Sequence, residues 1–347
     1  MEKPKALIVV PSFQSFILQD IELLSERYEL TINHYDWRKK ALAPVYLFRQ
    51  FFHLLVTIPQ CRFILIHFGG YWSFFPTLLG KIFGKPSYII LHGTDCASIP
   101  ELNYGSLRIP LLKWFCKKSY EWATKLFPVS DSLIFTKNSY INYEKPIFNG
   151  LKHHFPNLQT PVLVIPNGFD THFWVPDEKL KTNPNSYLTV LSTSQFYLKG
   201  GDLIIQLAEQ MPESKFQLVG LNCPSDIEPP KNVEFLGRLE KKDLKIRYQR
   251  SAYYMQLSSF EGFGCALCEA MLCGCIPIVS EVNALSQIIG DTGVTVPFRR
   301  FSNLQISVQM INSLTKGQNI NQYARKRIME LFPLGKRRDL LFESLQN

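Results

Sequence analysis

Tyr253-Tyr254-Met255-Gln256-Leu257-Ser258-Ser259-Phe260-Glu261-Gly262-Phe263-Gly264-Cys265-Ala266-Leu267-Cys268-Glu269-Ala270-Met271 carries the pattern of one complete α/β unit. The run Tyr253–Leu257 reads as a buried strand. A polar, glycine-rich turn follows and breaks into an apolar helix that still carries a carboxylate. A second strand-like run, Ile276–Val279, comes next. Glu261 therefore stands at the mouth of a strand-loop-helix unit, and Glu269 about one turn into its helix.

Open parallel sheets bind ligands at the carboxyl ends of their strands, where a helix N-terminus offers N–H groups to anions. Two acids bracketing such a glycine loop suit a ligand with both hydroxyl groups and phosphates, a description that a nucleotide sugar meets.

Working outward, strand and helix patterns alternate along the whole chain, which indicates α/β layers with parallel sheets. In the first half the expected strands are Ala6–Pro11, Tyr28–Asn33, Arg62–His67, Ser87–Leu91, Lys125–Val129 and Pro161–Ile165. Turn residues and a loss of apolar periodicity across 166–168 and 177–186 mark a linker region. The pattern then restarts at Tyr187 and runs to Val296, with helical segments after it. Two successive sets imply two Rossmann-like domains, 1–168 and 169–330, with parallel sheets facing a central cleft, and a terminal segment 331–347.

The chain has 347 residues and a net charge of +9. Residues 1–168 hold 18 Lys and Arg against 11 Asp and Glu, whereas residues 169–347 hold 20 against 18. The basic first half points to an anionic partner such as a membrane surface, and without any nucleic-acid motif nucleic acid ranks last. Leu42–Ile58 is interrupted by Arg49, Gln50 and His53, so it is too broken to span a bilayer. Leu107–Lys125 mixes Leu111, Trp114 and Phe115 with Lys113, Lys117 and Lys118, a composition of helices lying in a membrane interface and also of core-packing helices. Met1-Glu2-Lys3-Pro4-Lys5 leads into only a short apolar run, read as a first strand and not as a secretion signal. Eight cysteines without a secretory framework fit a reducing cytosol. Cys265, Cys268, Cys273 and Cys275 cluster on and just after one helix and read as small buried residues, because structural zinc sites usually need two separated knuckles.

Taken together, these residues resemble the retaining GT-B glycosyltransferases known as glycosyl transferases group 1. Glu261 and Glu269 with Gly262-Phe263-Gly264 look like that family's E-x7-E signature. Phe235-Leu236-Gly237, Lys199-Gly200-Gly201-Asp202, Gln217-Leu218-Val219-Gly220 and the run from Ala270 to Val279 are similar to its other C-terminal motifs. His92-Gly93-Thr94-Asp95, Val129 to Leu133 and Ile165 to Asp170 are similar to motifs of its N-terminal domain.

The resemblance implies hexosyl transfer from a nucleotide-sugar donor to a glycan or lipid-linked acceptor during surface polysaccharide assembly. It places the enzyme in the cytoplasm, peripheral to the inner membrane face, and the last helix back on the N-terminal domain. It implies that Lys199 meets the diphosphate and Glu269 both ribose hydroxyls. Glu261 acts beside the donor sugar, orienting hydroxyls or stabilising charge at the anomeric carbon. Gly262, Phe263, Gly264 and Cys265 offer backbone N–H groups, and His92 approaches the transferred sugar. Asp95 reads foremost as a helix cap and secondarily as a proton acceptor.

The chain departs from the family pattern at three places. Ser194 occupies the place of a phosphate-binding Arg, for which Arg238 is the candidate substitute. The loop from Pro11 to Phe16 lacks the family's glycine pair, and Gln287 stands where a Glu is common. No Asp-x-Asp motif occurs, so neither a divalent metal nor another cofactor is expected. The alternatives are a GT-B nucleotide-sugar epimerase or hydrolase, and a non-catalytic sugar-nucleotide or membrane-binding partner.

Overall fold

A computed structural model describes residues 2–225, 227–314 and 319–346. Met1, Asp226, residues 315–318 and Asn347 of the expected domains lie outside the described residues. The chain divides into two compact units. One comprises Met1–Thr136, Phe148–Asn167 and Gly335–Asn347, and the other Lys137–Ile147 and Gly168–Leu334.

In the first unit β1 (Lys5–Val10), β2 (Glu29–His34), β3 (Ile64–His67), β4 (Ser87–Leu91) and β5 (Lys125–Pro128) form one sheet in the order β2-β1-β3-β4-β5. Every pairing in it is parallel. Residues 6–10 and the whole of β3 and β4 are buried. Strands covered on both faces read as continuous apolar runs instead of alternating ones. The accompanying helices are α1 (Ser15–Ser25), α2 (Ala43–Thr57), α3 (Tyr71–Ile82) and α4 (Pro110–Trp122). Pro44 and Pro110 sit in the first turns of α2 and α4, where a missing N–H breaks no helical bond.

Two segments differ from expectation. Pro161–Ile165 is not a regular strand. It docks on β5 through three backbone hydrogen bonds, Leu126 N–H to the Pro161 carbonyl, Leu163 N–H to that of Leu126 and Ile165 N–H to that of Pro128. Neither Pro128 nor Pro161 has the N–H that a longer ladder would use. Lys137–Ile147, read as part of the first domain, clusters with the second unit. The short strands β6 (Thr136–Asn138) and β7 (Ile147–Asn149) and the short helix α5 (Leu151–His154) lie in and just after that stretch.

The second unit holds β8 (Asn183–Val190), β9 (Lys215–Val219), β10 (Val233–Phe235), β11 (Ser251–Gln256), β12 (Ile276–Ser280) and β13 (Val294–Val296). Their order is β10-β9-β8-β11-β12-β13, again all parallel. Strand β8 begins at Asn183, inside the stretch read as linker. The helices are α6 (Gly201–Gln210), α7 (Lys241–Arg250), α8 (Cys265–Leu272), α9 (Leu285–Ile289), α10 (Phe301–Leu314) and α11 (Ile320–Leu331). Helix α12 (Leu334–Gln346) has all but its first residue in the first unit, where Leu341, Phe342 and Leu345 are buried. Strand order reverses between β8 and β11. Ligands of open α/β sheets bind outside the carboxyl ends of the strands at such a reversal.

Candidate functional site

The loops leaving β8 and β11 flank that reversal, and they bring Lys199 and Glu261 together. Lys199 Nζ lies 3.8 Å from Glu261 Oε2, with both side chains largely buried at 20% and 17% exposure. Backbone docking explains the approach. The Ser259 N–H donates to the Leu198 carbonyl at 2.7 Å, which ties the two loops side by side. Gly200 follows Lys199 at φ 72°. A Cβ there would stand 2.6 Å from Leu257 Cβ and 2.8 Å from its carbonyl oxygen, so only glycine lets the Lys199 turn close onto β11.

Glu261 is held through side chain and backbone alike. Its Oε2 accepts from Gln256 Nε2 at 2.7 Å and from Ser258 Oγ at 3.1 Å, and its backbone N–H donates to Asn283 Oδ1 at 3.0 Å. Asn283 adopts φ 49°, a left-handed conformation that asparagine tolerates better than most residues. Ser280 Oγ, from the neighbouring strand, donates to the Ser258 carbonyl at 2.6 Å and fixes the loop's first turn.

Gly264 opens α8 at φ 109°. Phe263, between the two glycines, is buried. Its ring lies 6.1 Å from Phe169 and 5.1 Å from Phe332, which makes it an anchor for the loop. In α8 the residues Leu267, Cys268, Ala270, Met271 and Leu272 are buried, and Glu269 keeps part of its surface exposed. The Glu269 carboxyl has no hydrogen-bond or ion-pair partner among the described residues. Burial in this apolar helix pushes it up to about 8, against a smaller opposing pull from Lys241. The thiols of Cys268, Cys273 and Cys275 are raised by burial as well. Cys265 is only half-buried.

Two expected residues do not join this group. Ser194 is exposed and its Oγ lies 3.4 Å from Ser192 Oγ. Arg238 is exposed without an ion-pair partner among the described residues. Also among the described residues, no group of three or more His, Cys, Asp or Glu side chains is arranged to hold a metal ion.

His92 belongs to the first unit, just past β4. Its Nε2 lies 3.1 Å from His67 Nδ1, its Nδ1 is buried without a partner, and its ring packs 4.5 Å from Phe16 and 4.4 Å from Phe68. His67 Nε2 faces Asp20 Oδ2 at 3.9 Å. A carboxylate there favours the proton on Nε2 of His67, so His92 Nε2–H donates to His67 Nδ1. Burial lowers His67 to about 4 and His92 well below the usual histidine range, so both rings are neutral near pH 7. One nitrogen of His92 is thus committed inside the unit, and Nδ1 is a buried acceptor without a partner among the described residues. Asp95 is wholly internal. It accepts from the N–H groups of Gly69, His92 and Gly93 at 2.9–3.1 Å, tying the ends of β3 and β4 together, and burial raises its carboxyl to about 6.

Residues 176–327 match the family model described as glycosyl transferases group 1. This segment is a group 1 glycosyltransferase domain. Among curated proteins, the O-antigen chain mannosyltransferase B of Escherichia coli is 34% identical over 62 residues, which is 18% of this chain and 16% of that protein. The match thus spans less than a fifth of either protein's length. Solved structures match much further at low identity. A sucrose-phosphate synthase from Thermosynechococcus elongatus superposes with TM-score 0.76 at 14% identity, covering 99% of this chain and 98% of that one. HepE of Anabaena in complex with UDP gives 0.73 at 16%, covering 99% of each chain. The fold is GT-B.

Gln256, Ser258 and Asn283 hold Glu261 without announcing it in the sequence. Gln256 and Ser258 sit in or beside an apolar strand, where period and composition speak only of core. The one available signal is the polar residue interrupting Tyr253–Leu257.

Proposed function

We propose that the chain is a retaining glycosyltransferase that moves a sugar from a nucleotide-sugar donor to a glycan or lipid-linked acceptor in surface polysaccharide assembly. The observation that carries this reading is the pairing of Lys199 with a clamped Glu261, eight residues ahead of an unpartnered carboxyl at Glu269. Lys199 offsets charge building on the departing diphosphate, assisted by the N-terminus of α8. Fixed charges aimed at the developing anion usually make the largest contribution to such a step. Glu269 accepts from the two hydroxyls of a ribose, and Glu261 orients the sugar. With Lys199 and a helix terminus in this role, the reaction needs no divalent ion. In the first unit, His92 Nδ1 is the acceptor assigned to a sugar hydroxyl. The Anabaena HepE complex with UDP-glucose supports a nucleotide-sugar donor, and the O-antigen match supports a polysaccharide context.

Features of the first unit support work at a membrane surface. No described helix is long and apolar enough to cross one. Helix α2 exposes Val45, Phe48, Phe52 and Val56, with Phe48 and Val56 each 66% exposed, and α4 exposes Leu111 and Trp114. Ring contacts run from Phe52 through Phe51, Phe75 and Phe74 to Trp114, so the two helices share one aromatic band across α3. A cavity of about 370 Å³ beside that band is lined by Lys113, Trp114, Lys117, His154 and Phe155 among others.

Purified protein incubated with UDP- and GDP-sugars and lipid-linked acceptors should transfer or slowly hydrolyse one donor. Glu261→Gln should cut turnover by about a hundredfold or more while nucleotide affinity stays within about twofold. Full turnover in Glu261→Gln would remove its assigned role.

A further inference from the structure

We propose that Gln256, oriented by Tyr254, is a positioning residue that decides which oxygen of Glu261 faces the sugar. This role rests on the transfer reaction proposed above. Tyr254 and Gln256 are two apart on β11, so their side chains share one face of the sheet. Both are buried, at 0% and 3% exposure. Tyr254 OH lies 3.0 Å from Gln256 Oε1, and Gln256 Nε2 lies 3.1 Å from Ser258 Oγ and 2.7 Å from Glu261 Oε2.

The direction of each bond follows from what the groups can give. Burial holds the proton on the Tyr254 hydroxyl, so that hydroxyl donates and the amide oxygen receives. The amide is thereby oriented with its NH2 toward Ser258 and Glu261. A turned-over amide would set its oxygen against the carboxylate and leave the Tyr254 proton facing an NH2 group. Ser258 Oγ receives one amide hydrogen and passes its own to Glu261 Oε2 at 3.1 Å. Oε2 is thus loaded with two donated hydrogen bonds and the Lys199 ammonium at 3.8 Å. Oε1 has no hydrogen-bond partner among the described residues and is not sealed from solvent. Glu261 therefore presents Oε1, with the carboxylate plane set by a relay that starts at a strand tyrosine. A purely structural network would show up in folding stability and nucleotide binding, whereas a positioning role acts on the reacting geometry.

Wild type, Gln256→Met and Tyr254→Phe are to be compared for kcat with UDP-glucose and GDP-mannose, for UDP and GDP affinity by calorimetry, and for melting temperature. Gln256→Met should lower kcat about tenfold to a hundredfold, and Tyr254→Phe about threefold to tenfold, with nucleotide Kd within about twofold of wild type. Unchanged kcat in both variants, or losses in nucleotide affinity matching those in kcat, would overturn the assignment. Tyr254→Phe removes one oxygen and carries the test alone if Gln256→Met does not fold. A wild-type protein that binds nucleotide but turns over no donor refutes the transfer reading instead, and the positioning role falls with it.

Discussion

Glu269 is the residue whose chemistry differs most from what its letter suggests. A carboxyl raised to about 8 holds its proton in the unliganded protein near neutrality. The unfolded chain ionises the same group near its ordinary value of 4.5. Between those values the folded state binds more protons, so this group's contribution to stability falls as pH rises from about 4.5 through 8. A ribose diol donating two hydrogen bonds favours the ionised form and draws the carboxyl downward. Donor binding at pH 7 should release close to one proton, and affinity should climb toward pH 8 and then level off. A nucleotide sugar is the right probe, because its esterified diphosphate does not titrate in this range. Calorimetry in buffers of different ionisation heat measures the release directly. A buffer-independent heat in wild type, or the same dependence in Glu269→Gln, would show that the carboxyl does not meet the ligand.

At the scale of elements, the strand-loop-helix around Glu261 is legible in sequence because its signals are local. A buried strand, glycines at a turn and an apolar helix each leave a pattern within a few residues. Asn283 stays hidden because its contact with Glu261 spans 22 residues of sequence, and Gln256 because a polar residue in a strand has no period of its own. The helix Leu107–Lys125 is ambiguous for a related reason: one composition serves a core face and a membrane face. In the structure α4 buries Leu112, Cys116, Ser119 and Tyr120 while exposing Leu111 and Trp114 beside Lys113 and Lys117. Interfacial helices bind through apolar area combined with attraction to anionic lipid. The protein should therefore sediment with vesicles of anionic phospholipid and not with purely zwitterionic ones. Phe48→Ser with Trp114→Ser should weaken that binding about a hundredfold or more without changing nucleotide affinity, given about 1.5–3 kcal/mol for each large side chain withdrawn from water. Equal binding by the double variant would assign the band to some other contact.

Across the whole chain, the first unit is closed by a pair that no local pattern announces. Arg337 and Asp20 stand 317 residues apart in sequence, yet Nε and Nη2 of the arginine meet the two carboxylate oxygens at 2.6 and 2.5 Å. Both side chains are almost fully buried, at 1% and 0% exposure. Arg337 Nη1 also donates to the carbonyls of Ile165 and Pro166, so one guanidinium joins α12, α1 and the end of the 161–166 segment. Bidentate geometry of this kind suits arginine and not lysine. The pair's net worth is small compared with the cost of breaking it, because desolvating two charges offsets most of their attraction. Arg337→Met should accordingly destabilise the protein by about 3–5 kcal/mol, chiefly by leaving Asp20 buried and uncompensated beside His67. Replacing both partners, Arg337→Met with Asp20→Leu, should recover most of that loss. Urea unfolding of the two variants and the wild type reads the difference. If Arg337→Met costs under about 1 kcal/mol, the pair behaves as a solvated surface bridge and α12 is held by Leu341, Phe342 and Leu345 alone.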